Sequence, residues 1–198
     1  MKGNAAPVTR ALALLAVLVA GCAGGPPPPA WRLEAVSALA AFERHYLRGE
    51  TQLAELEFAR AKQEIRASGR PDLLARAELA RCAARAASLE FDGCPGFQAL
   101  RADAGAEELA YADYLAGKRT RARGEEPLSR LVHAGVALRT GTVTPVQIGQ
   151  AIDIASAEGW RRPLAAWLEV AARRAETAVD AEGAARLRRR IALTLANP

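Results

Sequence analysis

TQLAELEFARAKQEIRASGRP, residues 51–71, carries the reading that decides the fold. Ala54, Phe58, Ala61 and Ile65 recur at steps of three and four, which makes one stripe down a helix. Glu, Gln, Arg and Lys fill most other positions and lose little side-chain freedom in a helix. Gly69 stands where a left-handed cap ends a helix without a Cβ penalty. Pro71 stands where the first turn of the next helix has no need of an N–H. The stretch predicts a helix over 51–68, a tight turn, and a new helix opening at Pro71.

The same punctuation extends in both directions. A first helix over 30–48 stops at Gly49. The third covers 71–90, with Leu79, Cys82, Ala86 and Leu89 on one face and Arg76, Arg81 and Arg85 on others. Residues 91–105 form the main irregular segment, with one helical turn at 97–101. A helix over 106–117 follows, then the exposed loop KRTRARG at 118–124. Pro127 opens a helix that ends near Thr140-Gly141. In Thr144-Pro145-Val146-Gln147, Thr144 caps, Pro145 fits the first position and Gln147 completes a capping box. That helix ends near Gly159. The next spans 161–179 and turns Leu164, Trp167, Leu168, Ala171 and Ala175 inward. Asp180 caps the last, in which Ala184, Leu187, Ile191 and Leu195 repeat the core spacing. Glu169 with Arg173, and Glu182 with Arg186, are favourable pairs at i and i+4.

No strand-like alternation interrupts this pattern. The fold class is therefore all-α: one domain over 31–198, an array of antiparallel helical hairpins pairing as 31–68, 71–117, 127–159 and 161–195. The unit length resembles tetratricopeptide-type hairpins. The Trp-Leu-Gly-Tyr signature of that family is not in register, so a solenoid and an irregular helical bundle both stay open.

Ahead of this domain, Lys2 and Arg10 precede the unbroken Ala, Leu and Val run of residues 11–20. A basic start and a short apolar core make a secretory signal. Ten such residues span roughly 15 Å as a helix, against about twenty residues for a bilayer core. Val19-Ala20-Gly21-Cys22 resembles the lipobox of bacterial lipoproteins, with Val19 where the family usually carries Leu. The resemblance implies a signal peptide over 1–21, cleavage before Cys22, a diacylglycerol on its thiol and an acyl chain on the new amine. The rival is an ordinary cleaved signal with an incidental cysteine. Residues 22–30, with Gly24-Gly25 and four prolines, then form a tether, flexible at first and extended after. Ala23, in place of the Asp that retains lipoproteins in the inner membrane, implies the periplasmic face of the outer membrane.

The formal charge of +5 falls to +3 once Lys2 and Arg10 leave. That charge is spread among many Glu residues and gives no basis for a nucleic-acid partner. With Cys22 lipidated, Cys82 and Cys94 remain as an even pair in an oxidising compartment. A bridge would close a loop of about 13 residues, worth on the order of 3 kcal/mol; two free thiols are the alternative. Zinc would lack ligands, because no His lies near the pair.

Chemistry-bearing motifs are missing from the chain: there is no nucleophile elbow, phosphate loop, His-Glu-x-x-His or dinucleotide fingerprint. His45 and His133 have no partner at a motif spacing and read as packed or surface residues. Glu107-Glu108 and Glu125-Glu126 start helices, where negative charge is favoured. No catalytic residue, metal site or cofactor beyond the Cys22 lipid is expected. The richest local chemistry is Phe91-Asp92-Gly93-Cys94-Pro95-Gly96-Phe97. With Arg81, Arg85, Tyr111 and Tyr114 it makes a candidate interaction surface, of which Asp92 and Phe97 are the local members. The bland reading is a stapled loop that packs its aromatics on the helices. The function expected is a membrane-anchored envelope lipoprotein, a non-enzymatic interaction or scaffold module for an envelope protein. The alternatives are a peptidoglycan-acting enzyme, which needs a Glu acid in a cleft, and an anionic-lipid adaptor using Arg173-Arg174 and Arg188-Arg189-Arg190.

Overall fold

A computed structural model of the chain describes residues 27–121 and 124–196. The expected signal peptide, Cys22 and most of the tether lie outside the described residues. Within them the fold is all-α, a hairpin array with no strand. The elements are α1 (Ala30–Leu47), α2 (Thr51–Ala67), α3 (Pro71–Ala87), the single turn α4 (Pro95–Gln98), a short 3₁₀ turn at Arg101–Asp103, α5 (Ala106–Leu115), α6 (Pro127–Arg139), α7 (Pro145–Ala157), α8 (Arg161–Thr177) and α9 (Ala181–Leu195).

One closure recurs along the chain. A residue with positive φ follows the helix end: Gly49, Gly69, Gly159 and Val179 each stand in the middle of a three-residue turn between helices, and Leu89 stands near the start of the longer connection from α3 to α4. The N–H after that residue reaches back to a carbonyl of the last helical turn. Glu50 donates to His45 O, Glu90 to Arg85 O, Trp160 to Ala155 O and Asp180 to Ala175 O, each at 2.9 Å. These bonds satisfy carbonyls that the helix end leaves unpaired. At two closures the left-handed position is held by a residue with a side chain. Leu89 packs against the core, which offsets its strain; Val179 is 87% exposed. The closure at Leu89 ends α3 three residues before the 71–90 span that periodicity predicts.

Starts are equally local. Gln147 N–H donates to Thr144 Oγ1 at 3.2 Å while Thr144 N–H donates to Gln147 Oε1 at 2.8 Å, the predicted capping box. Asp180 Oδ1 accepts from Gly183 N–H at 2.8 Å and caps α9. Ala184 is buried, but Leu195, expected inward, is 64% exposed and borders a recess beside the start of α8.

Two cores meet at α3. Phe42, Tyr46, Phe58 and Ile65 fill the first hairpin against Ala77 and Ala84 of α3. Leu79, Cys82, Ala83 and Ala86 face the second core, with Phe97, Leu131, Ile152, Trp167 and Leu168. Six alanines of α3 are buried, so neighbouring helices approach it from both sides. Its closest neighbour is α6, not its chain neighbour α5. The reason is Gly135, which brings α6 so near that a Cβ there would lie 2.2 Å from Ala86 O. Within 71–117 α4 and α5 still pack on α3, which α6 joins as a further neighbour, while 31–68, 127–159 and 161–195 pair as hairpins. The first hairpin also meets α8. In an open solenoid each repeat contacts only its neighbours; here the array closes on itself.

Candidate functional site

The predicted surface residues separate into three places. Arg81 and Arg85 lie on α3. Arg81 donates to Glu55 at 2.8 Å and covers the Phe58 ring at 4.9 Å. Arg85 pairs with Glu90 at 3.5 Å and with Asp92 at 3.3 Å. Glu90 also takes Arg162 of α8 at 3.2 Å. Arg162 donates further to Tyr46 O at 2.8 Å and Thr51 Oγ1 at 2.6 Å, and stacks over the Tyr46 ring at 4.3 Å. Burial raises the Tyr46 phenol above its ordinary range, and the Glu90 carboxylate adds to the effect. This junction ties the α1–α2 turn, the end of α3 and the start of α8 together, and its guanidinium groups are already engaged.

Asp92 has a second role. Its Oδ1 accepts from Cys94 N–H at 3.0 Å, which shapes the turn that enters α4. Cys82 and Cys94 form a disulfide with a Cα separation of 5.7 Å. The bond pins the irregular segment to α3 and sets aside the free-thiol alternative. Phe97, expected at the surface, is fully buried beneath that segment. The stapled loop uses its aromatic ring as core, as an apolar ring next to an apolar helix face should.

Tyr111 and Tyr114 project from α5 with ring centroids 5.8 Å apart. Arg121 lies 5.0 Å from the Tyr111 ring centre. The Tyr114 hydroxyl is 3.4 Å from His133 Nδ1. Burial pushes the Tyr111 phenol up to about 12, with Tyr114 adding and Arg121 opposing. Tyr114 is raised by burial as well, against the pull of Arg121. His45 sits beside Glu50, whose carboxyl that hydrogen bond holds below its ordinary range.

Tyr111 opens on a cleft of about 330 Å³ between α1, α3, α5 and the start of α6. Leu79, Ala80, Ala83 and Leu128 supply apolar lining; Glu43, Arg76, Glu107 and Arg121 supply charge. Arg76 donates to Glu108 Oε1 through Nε at 2.9 Å and through a terminal nitrogen at 2.5 Å. That contact holds the Glu108 carboxyl below its ordinary range. Glu43 goes the other way: burial raises it first, then the negative charge of Glu126. Sequence reasoning found Tyr111 here but not Glu43, Arg76 or Leu128. They come from different helices and share no spacing.

Among the described residues no group of three or more His, Cys, Asp or Glu side chains gathers as a metal site. No described helix is long and apolar enough to cross a membrane. No family model, characterised protein or solved structure matches the chain.

Proposed function

We propose that the protein is a lipoprotein of the bacterial envelope. Cys22 would carry the lipid, and the helical domain would dock a segment of another envelope protein without catalysing a reaction. The outer membrane's periplasmic face is the location that Ala23 favours. The anchor rests on the residues of the lipobox-like stretch and the Gly/Pro tether after it. The observation that carries the docking role is the cleft, which combines an apolar lining with charges of both signs. Apolar anchors in a recess give affinity and a charged rim gives orientation.

Two measurements test the halves separately. Radiolabelled palmitate should enter the wild-type chain and be lost in Cys22→Ala; absence of label in the wild type would remove the anchor. A photo-crosslinking residue at Ala80, exposed in the cleft, should give one discrete adduct in cells, whereas the same probe at Arg189 on α9 should not. Equal labelling from both positions would remove the cleft as the docking site. Muropeptide release by the purified chain would favour the peptidoglycan-enzyme alternative instead.

A further inference from the structure

Two other recesses are lined by cations and, among their lining residues, no carboxylate. One, of about 340 Å³, lies between the α1–α2 turn and α8, with Arg48, Arg161 and Arg162 around it. Two of its three guanidinium groups are occupied, and the third, Arg48, offers its backbone carbonyl to one of them. Arg161 donates to Arg48 O at 2.9 Å, and Arg162 to Tyr46 O, Thr51 and Glu90. They serve as struts between helices.

The second recess differs on that point. It has a volume of about 370 Å³ and lies where the loop after α5 folds over α6 and the start of α7. The left-handed Gly117 ends α5, and Lys118 N–H closes back on Asp113 O at 2.9 Å, which turns the following residues over the recess. Lys118, Arg119 and Arg121 lie on that loop, and His133, Thr140 and Tyr114 face them from the helices. The side chains of Lys118, Arg119 and Thr120 make no hydrogen bond or ion pair among the described residues. Arg121 lies over the face of Tyr111 at 5.0 Å and makes no side-chain hydrogen bond or ion pair among the described residues. By contrast Arg60, Arg70, Arg76, Arg81, Arg85 and Arg188 are each paired with a carboxylate. Cations gathered in a concave site whose own lining holds no carboxylate raise the local positive potential, although Arg121 also borders the cleft that carries Glu43 and Glu107. Lys and Arg match the oxygens of a phosphate group as donors, while the Thr140 hydroxyl, already donated to Val136 O at 3.1 Å and Ala137 O at 3.2 Å, forms only part of the wall.

We propose that the recess formed by Lys118, Arg119, Arg121, His133 and Thr140 binds a phosphate-bearing ligand. The chemistry is the same whether the phosphate belongs to a lipid headgroup or to a soluble phosphate ester. The proposal stands apart from the docking cleft and from the lipid anchor, and shares only Arg121 with the former.

The experiment is titration calorimetry on the purified full-length chain with two probes. These are inorganic pyrophosphate and dihexanoylphosphatidylglycerol kept below its micelle concentration. Binding of both probes assigns an open site that admits a headgroup; binding of pyrophosphate alone assigns a soluble phosphate. In either case Lys118→Ala with Arg119→Ala should weaken binding by about tenfold or more, since two charge-assisted contacts are lost. Lys118→Arg should retain it. Arg189→Ala with Arg190→Ala, exposed cations of α9, should leave it within about twofold, because exposed distant charges are screened. No binding of either probe overturns the proposal. So does binding that the α9 pair weakens as much as the loop pair.

Discussion

The indole N–H of Trp167 donates to the carbonyl oxygen of Ala87 at 3.1 Å, and the whole Trp167 side chain is buried. Ala87 is the last residue of α3, where helical geometry leaves carbonyls without an intrahelical donor. One side chain thus fills the second core and satisfies the end of the central helix. Trp167→Phe keeps most of the apolar volume but orphans that carbonyl. It should cost about 1–3 kcal/mol, whereas Trp167→Ala should cost about 3–5 kcal/mol. Urea unfolding of both variants separates the hydrogen bond from the packing; wild-type stability in Trp167→Phe would mean the bond contributes nothing.

Two glycines inside helices should respond in opposite directions. A Cβ on Gly135 would meet the backbone oxygen of Ala86 at 2.2 Å, and a main-chain atom in a packed helix cannot rotate away. Gly135→Ala should destabilise by about 1–3 kcal/mol through overpacking. Gly149, in the interior of α7, has nothing within 4 Å of its would-be Cβ. Gly149→Ala should stabilise by roughly 0.5–1 kcal/mol, the helix-propensity difference. Thermal melts of the two single variants are sufficient to check the signs.

Val179 carries a β-branched side chain at φ 59° and is almost fully exposed, so little burial offsets its strain. Val179→Gly should raise stability by on the order of 1 kcal/mol. Leu89 has φ 62° but packs on the second core. Leu89→Gly should gain less or lose outright, because burial goes with the strain. A Tm that falls in Val179→Gly would show that its side chain has a contact more valuable than the strain it causes.

Reduction of the Cys82–Cys94 bond, or the double replacement by Ser, should lower stability by about 3 kcal/mol through loop-closure entropy. The loss should be felt first in the segment around α4, which the bond pins to α3. Faster amide exchange at 92–101 in the reduced protein, with α1 and α2 unchanged, is the expected pattern.

Arg76 holds the Glu108 carboxyl below the 4.5 of a free glutamate, and Arg173 and Arg188 do the same for Glu169. A lowered folded-state value means stability that is present above the unfolded value and is lost as pH falls through the folded one. Acid titration should therefore weaken the fold progressively below about pH 4.5. Glu108→Gln should flatten that limb while leaving its slope near neutrality unchanged. An unaltered acid limb in this variant would assign the loss to other carboxylates.

How far the candidate site was legible can be judged from single residues. Phe97 and Tyr111 look alike as aromatics beside a loop, yet one is core and the other lines the cleft. Arg81 and Arg85 stand out in the sequence, but their carboxylate partners Glu55, Glu90 and Asp92 consume them. In the sequence Lys118 and Arg119 are only an exposed loop. Their interest lies in what surrounds them, His133 on α6 and Thr140 at its end, and in a recess lining that holds no carboxylate among the described residues. No spacing rule conveys such a three-dimensional neighbourhood.

The sequence by itself determined the helices, their caps and most of their buried stripes. These depend on residues within one or two turns: Gly69 after Ile65, Thr144 before Gln147, Asp180 before Gly183. Hydrogen bonds of that range are settled by local geometry. Only the tertiary structure decided that α3 lies beside α6, that the first hairpin meets α8, and where the recesses open. Those choices turn on how closely two backbones can approach, as at Gly135 and Ala86, and on which distant charge a guanidinium finds, as Arg162 finds Glu90. Contacts of that kind are selected by the packing of the whole chain, and a linear pattern of residues does not contain them.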